Sequence, residues 1–236
     1  MSFLKAEWRK LAIANYEISP EVLVPYVPKH TELDIWNGVC YVSLVAFMFK
    51  NTRLLNIPIP FHTDFEEVNL RFYVKHFDGN EWKRGVVFIK EIVPKPALTW
   101  VANKIYKENY QTLPMKHFWL ESGENIQISY EWKLDNKWHK FSLNADNTPI
   151  QIDKGSETEF ITEHYWGYTL LSESKTGEYQ VKHPRWQAYN VKSHQINVDF
   201  AKVYGREFEM LNNKEPESVM LAEGSEISVE HGSTLI

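Results

Sequence analysis

Alternation of apolar and polar residues dominates the chain. In "EVNLRFYVKHF" (67–77) Val68, Leu70, Phe72 and Val74 face one way, and Glu67, Asn69, Arg71 and Tyr73 face the other, as in a β-strand. A turn at "DGN" leads into "EWKRGVVFIKEIV" (81–93), so the two runs predict a β-hairpin. "GVCYVSLVAFMF" (38–49) is apolar on both faces for part of its length, which predicts a central strand. "ENIQISYEWKL" and "KWHKFSL", joined by "DN", predict a second hairpin. "EYQVKHP" and "RWQAYNVKSHQINVDF" (178–200) add further strands, and "PESVMLAEGSEISVE" (216–230) suggests a closing pair.

Helical spacing is rarer. "PALTWVANKIYKEN" (96–109) puts Leu98, Val101, Ala102 and Ile105 on one face, which predicts a helix. "SPEVLVPYVP" (19–28) has an N-cap serine and a proline at the first helical position, and Pro25 and Pro28 keep that helix short. "SETEFITEHYWGYTLL" (156–171) opens with a capping box and turns β-like at its aromatic end. "NIPIPFHTDF" (56–65) and "NKEPES" (213–218) read as loops. Without repeat or linker, residues 1–236 read as a single α+β domain, mainly β, whose sheet curls into a barrel or sandwich.

Composition narrows the function. Nine Trp, twelve Tyr and thirteen Phe suit both core filling and the lining of a ligand cavity. A net charge of -5 without any basic block argues against a nucleic-acid partner. No run approaches the roughly 20 apolar residues of a membrane span. The polar start "MSFLKAEWRK" is unlike a signal peptide, so a cytoplasmic location is expected. Lone Cys40, inside an apolar run, reads as a small core residue and fits a reducing compartment. Assembly with copies of itself is left open.

Three groups of residues carry candidate chemistry. If the 67–77 strand lines a barrel, Glu67, Asn69, Arg71 and Tyr73 share a cavity, where Arg71 can clamp a carboxylate and Glu67 can transfer protons. If the hairpin is half-buried, the same face is solvated and carries only surface charges. The acidic and histidine residues His62, Asp64, Glu66, Glu67, Glu163 and His164 lack a recognised ligand spacing, so no metal is expected. There is no phosphate loop, dinucleotide fingerprint or serine elbow, so no cofactor is expected either. In "QTLPMKHFWL" (111–120), Lys116 stands among Met115, His117, Phe118 and Trp119. As a Schiff-base nucleophile it would need its pKa lowered by about 4, roughly 5 kcal/mol against the ammonium. As an ordinary surface lysine it would pack its stem on the rings and keep its amine in water.

Taken in order, "LAIANYEISPEVLVPYVP", "LDIWNGVCYVSLVAFMF", "EVNLRFYV", "GVVFIKEI", "TEHYWGY" and "VKHPRWQAY" resemble the YqjF-like bacterial proteins, a domain family of unknown function, across nearly the whole chain. That family is similar in fold to acetoacetate decarboxylase. The resemblance implies a closed or cone-shaped β-barrel with a few short helices and an internal cavity for a small organic carboxylate or carbonyl ligand. It also implies an alternative: Schiff-base or acid/base chemistry on a keto acid. In acetoacetate decarboxylase a lysine beside the nucleophile lowers its pKa. The decarboxylase motif of proline and two lysines corresponds here to Pro114, Met115 and Lys116, so a methionine takes the nucleophile's place. Glu67 matches the decarboxylase's cavity glutamate and Arg71 belongs to the YqjF-like motif. The candidate site is therefore Glu67 and Lys116 as catalytic groups, with Arg71, Asn69, Tyr73 and His117 as ligand contacts.

Overall fold

The computed structural model describes residues 2–236, the side chains of Ile105 and Tyr106 excepted. Among the described residues, one mixed sheet takes in all the strands. Its first half comprises β1 (Leu4–Glu17), β2 (Glu32–Leu33), β3 (Tyr41–Leu54), β4 (Ile57–Pro58), β5 (Phe65–Phe77), β6 (Trp82–Val93) and β7 (Tyr110–Thr112). The second half comprises β8 (Met115–Ser122), β9 (Asn125–Leu134), β10 (Lys137–Gln151), β11 (Trp166–Ser172), β12 (Lys175–Lys182), β13 (Gln187–Asn197), β14 (Ser218–Val229) and β15 (Ser233–Leu235). Among the described residues four short α-helices interrupt them: α1 (Pro20–Leu23), α2 (Pro96–Val101), α3 (Glu157–Thr162) and α4 (Phe200–Tyr204).

Seven strands close on themselves in the order β12-β11-β6-β5-β3-β1-β14, with β14 pairing back to β12. Closure satisfies the strand edges that an open sheet leaves bare. All ring pairings are antiparallel except that of β6 with β11. At this parallel joint Gly85 pairs with Trp166 and Gly167 with Val86. A Cβ on Gly167 would stand 2.2 Å from the Tyr179 ring, and one on Gly85 would stand 2.6 Å from the Trp166 carbonyl. Absence of a side chain is what lets the two segments meet.

From β14 the sheet continues through β13, β10 and β9 to β8, an edge strand. This extension covers the outside of the ring. Leu44 and Ala46 of β3 and Val68, Leu70 and Phe72 of β5 share one apolar cluster with Ile128, Tyr130, Trp132, Phe141 and Leu143 of the extension. The other face of the same ring strands supplies a second cluster, with Leu11, Ile13, Val45, Phe47, Phe49 and Phe65. Burial on both faces explains why β3 reads as continuously apolar.

The expected hairpins form as β5–β6 and β9–β10, the latter turning at Asp135 and Asn136, both with positive φ. Ser156 caps α3 by accepting from the Glu159 amide at 3.1 Å. Two expectations need correction. Residues 216–230 form one strand, not a pair. Gly224 (φ +79°) is no turn; the Trp8 carbonyl lies 2.0 Å from where its Cβ would be, so close approach of β1 requires glycine. The helix expected over 96–109 is α-helical only to Val101 and continues as a π-turn over Ala102–Tyr106, ending at left-handed Lys107. The side chain of Ile105, part of that expectation, lies outside the described residues. Strand β1 has no counterpart in the sequence reading, because Lys10 (φ 53°) interrupts its alternation.

Candidate functional site

The ring encloses a cavity of about 670 Å³, within the range of small-molecule sites. Its walls are largely apolar and include the rings of Trp8, Phe47, Phe49, Phe65, Phe88 and Trp166. Helix α2 contributes Ala97, Leu98 and Val101, and the π-turn after it leads the chain to Glu108, which also faces the cavity.

Strand β5 sends Glu67, Asn69 and Arg71 into this space, all three buried. Alternation forces this arrangement, since Val68, Leu70 and Phe72 occupy the outer cluster. Asn69 Nδ2 donates to Glu67 Oε1 at 3.0 Å, and the Tyr110 hydroxyl donates to Glu67 Oε2 at 3.3 Å. Burial pushes the Glu67 carboxyl up to about 7 and outweighs these two hydrogen bonds. Glu91 of β6 is buried opposite Asn69. Burial raises it well above the ordinary range, and repulsion from Glu108 and Glu67 adds to the effect. Burial likewise carries Glu108 to about 7, despite a 2.6 Å hydrogen bond from Thr169. Three carboxyls thus crowd one region of the lumen, and each resists ionisation.

Arg71 lies along β5 from Glu67, with Asn69 between them. Among the described residues its guanidinium makes no hydrogen bond or ion pair, and Nε is buried without a partner. The Tyr73 ring centroid is 5.8 Å from its central carbon. Asn69 Oδ1, Glu91 Oε2 and Trp8 Nε1, all on cavity-lining residues, are also buried without partners. His164 completes the polar set. Its Nε2 lies 3.1 Å from Asp34 Oδ2, an acceptor, and 3.3 Å from Arg84 Nη2, a donor, while Nδ1 is buried without a partner. Burial holds this imidazole neutral, down to about 4, against the Asp34 hydrogen bond.

The remaining expected residues lie elsewhere. Tyr73 shares the inward face but sits behind the cavity wall, its hydroxyl 2.7 Å from Ser43 Oγ and its ring 4.7 Å from that of His164. Lys116 is outside the barrel on edge strand β8. Its amine pairs with Glu131 at 3.0 Å, lies 4.6 Å from the Trp138 ring and is more than half exposed. An exposed amine paired with a carboxylate has the surroundings of a surface lysine, not of an enclosed nucleophile. One residue earlier on the strand, Met115 turns the other way and packs on the outer cluster. A slip of one position therefore brings neither residue into the lumen. Among the described residues no lysine lines the cavity. His117 is also outside, 2.6 Å from Glu66 Oε1. Cys40 is buried, and burial pushes its thiol up to about 11. No group of three or more His, Cys, Asp or Glu among the described residues is disposed to hold a metal ion.

Sequence reasoning passed over Glu91 and Glu108. Strict alternation puts Glu91 on the same face as Val87 and Ile89, whose side chains join the outer cluster. A bulge opposite Leu70 and Arg71 inserts one residue into β6 and turns Glu91 inward.

Solved structures share this architecture. The chain is similar to acetoacetate decarboxylase from Legionella pneumophila, at 12% identity and TM-score 0.68, over 99% of this chain and 87% of that one. It is also similar to the enduracididine biosynthesis enzyme MppR complexed with pyruvate, at 9% identity and TM-score 0.69, over 100% and 91% of the two chains. An acetoacetate decarboxylase-like enzyme from Sphingomonas wittichii aligns at 11% identity and TM-score 0.66, over 100% and 94%. The fold is thus that of acetoacetate decarboxylase. Uncharacterized protein YqjF of Bacillus subtilis (strain 168) is 26% identical over 199 residues, covering 83% of this chain and 78% of that protein. Residues 5–226 match DUF2071, described as an uncharacterized conserved protein (COG2071), and the chain belongs to that family.

Proposed function

We propose that the barrel binds a small organic molecule bearing a carboxylate or a carbonyl, with Arg71 as its anchor. The observation that carries this reading is the buried, unpartnered guanidinium facing an aromatic cavity. A buried cation without a counter-charge is costly, and a carboxylate that enters forms two parallel charge-assisted hydrogen bonds with it. Asn69 and the unpartnered Nδ1 of His164 add an amide and a ring nitrogen for a carbonyl, hydroxyl or N–H group. The names of the structural neighbours, a decarboxylase of acetoacetate and an enzyme complexed with pyruvate, agree with that ligand chemistry. The test is calorimetric titration with acetoacetate and with pyruvate. Wild-type protein is expected to bind at least one of them, and R71Q to bind it at least tenfold more weakly. Equal affinities in the two proteins would reject Arg71 as the anchor.

A second reading is acid/base catalysis, favoured by a Glu67 carboxyl poised near neutrality in the lumen. Exchange of the C–H protons next to the carbonyl of acetoacetate into deuterated water, followed by NMR, reads it directly. Protein-dependent exchange lost in E67Q would support catalysis. No exchange above the solvent rate would leave binding alone.

A further inference from the structure

The acidic end of the cavity is not needed by a ligand that is only an anion. Glu67, Glu91 and Glu108 all face the lumen from three separate places: β5, β6 and the segment after the π-turn. Lys83 pairs with Asp78 and Glu178, and among the described residues no lysine or arginine forms an ion pair with any of the three carboxyls. Arg71 is the cation nearest along β5, yet it stands beyond hydrogen-bonding reach of them. The other titratable groups facing the cluster are the Tyr110 and Tyr179 hydroxyls and neutral His164, and none of these supplies positive charge. The second sign of a missing partner is Glu91 Oε2, which is buried without a well-formed hydrogen bond although the Tyr110 hydroxyl lies beside this carboxyl.

We infer that the ligand carries a protonated nitrogen at the end remote from its carboxylate, held by Glu91 in a lumen that Glu67 and Glu108 also face, so that the barrel selects amino carboxylates over simple carboxylates. The anionic end of this inference rests on the proposed role of Arg71; the cationic end rests on the carboxyl cluster alone. Glu91 pairs with Asn69, so it stands two residues along the sheet from Arg71, about 7 Å, and one strand across, about 5 Å. Two long side chains reaching inward leave a gap spanned by a short aliphatic chain. The apolar and aromatic wall between the two poles suits that methylene segment. A metal ion is a poorer occupant, because these carboxyls do not converge on one point.

Proton balance follows from the arrangement. A carboxyl that holds its proton in the empty cavity gives it to the buffer when an ammonium takes its place, and the ammonium then donates to the carboxylate. No bond to carbon forms or breaks.

The test compares 4-aminobutanoate, 5-aminopentanoate and 6-aminohexanoate with the straight-chain carboxylates in which a methyl replaces the ammonium, and includes pentylamine. Titrations at pH 7 are run in two buffers of different ionisation enthalpy. One amino carboxylate is expected to bind at least tenfold more tightly than its methyl counterpart, with proton release. E91Q is expected to cut that preference below threefold and leave the simple carboxylate unchanged. If simple carboxylates bind as well as amino carboxylates, the inference fails while the Arg71 reading stands. If pentylamine binds in a Glu91-dependent way and no carboxylate profits from Arg71, the anchor fails and the cation site stands. If no probe binds, both are rejected.

Discussion

Replacing Glu67 by Gln should change how stability depends on pH, because the wild-type carboxyl is the wrong group to ionise where it sits. Its folded value of about 7 lies above the ordinary 4.5, so the native state holds this proton more tightly than the unfolded chain does. The stabilisation is complete below about 4.5 and is lost as pH rises through about 7. Each tenfold displacement of a proton equilibrium is about 1.4 kcal/mol, so the site should cost roughly 3 kcal/mol between pH 4.5 and pH 8. The amide of E67Q cannot ionise and escapes that loss. It also keeps the geometry, with its oxygen accepting from Asn69 and its NH2 group donating to the Tyr110 oxygen. Relief of repulsion on Glu91 acts in the same direction. Urea unfolding at pH 4.5 and pH 8 measures the difference. Near pH 4.5 the two proteins should agree closely, and at pH 8 E67Q should be the more stable by about 3 kcal/mol, or roughly 6–12 °C in Tm for a chain of this size. Parallel profiles would mean that Glu67 is solvated, and the account of an enclosed acidic lumen would be wrong.

Other consequences are more local. Borohydride reduction in the presence of acetoacetate should leave the mass of the protein unchanged, and K116M should alter stability by less than about 1 kcal/mol, as expected for an exposed ion pair; an adduct mapped to Lys116 would overturn its placement. Gly167→Ala should destabilise by about 1–3 kcal/mol, because the new methyl meets the Tyr179 ring at the parallel joint. A crystal structure of the variant should show that ring displaced, and an undisturbed ring would refute the packing argument. Leu70→Ala, in the outer cluster, should cost about 2–5 kcal/mol in urea unfolding and leave affinity for any cavity ligand within about twofold.

Much of this fold is legible in the sequence wherever strict alternation survives. Strand β5 shows the point: both its faces are assigned correctly from residues 68 to 74, and the polar face proves to be the inward one. Its burial was not legible, since a polar face beside an apolar one reads equally well as solvated; only ring closure, a contact between β12 and β14 far apart from β5 in sequence, decides it. Bulges hide the rest. One extra residue in β6 conceals Glu91, and one irregular residue at Lys10 conceals β1. The family motif pointed to the barrel, while the departure at Met115 and Lys116 is explained by β8, whose alternating side chains reach the outer core and the solvent but never the lumen.

The ring is clad on its outer side by the β8–β10 and β13 layer, so a large part of its apolar core lies outside the lumen. Side chains of odd and even positions on one strand answer to different demands: one set packs against the outer layer, the other shapes the lumen. A lineage can therefore lose an amine, gather carboxyls or reshape an aromatic wall without rebuilding the protein. Such a division of labour suits an architecture that chains at about a tenth identity share.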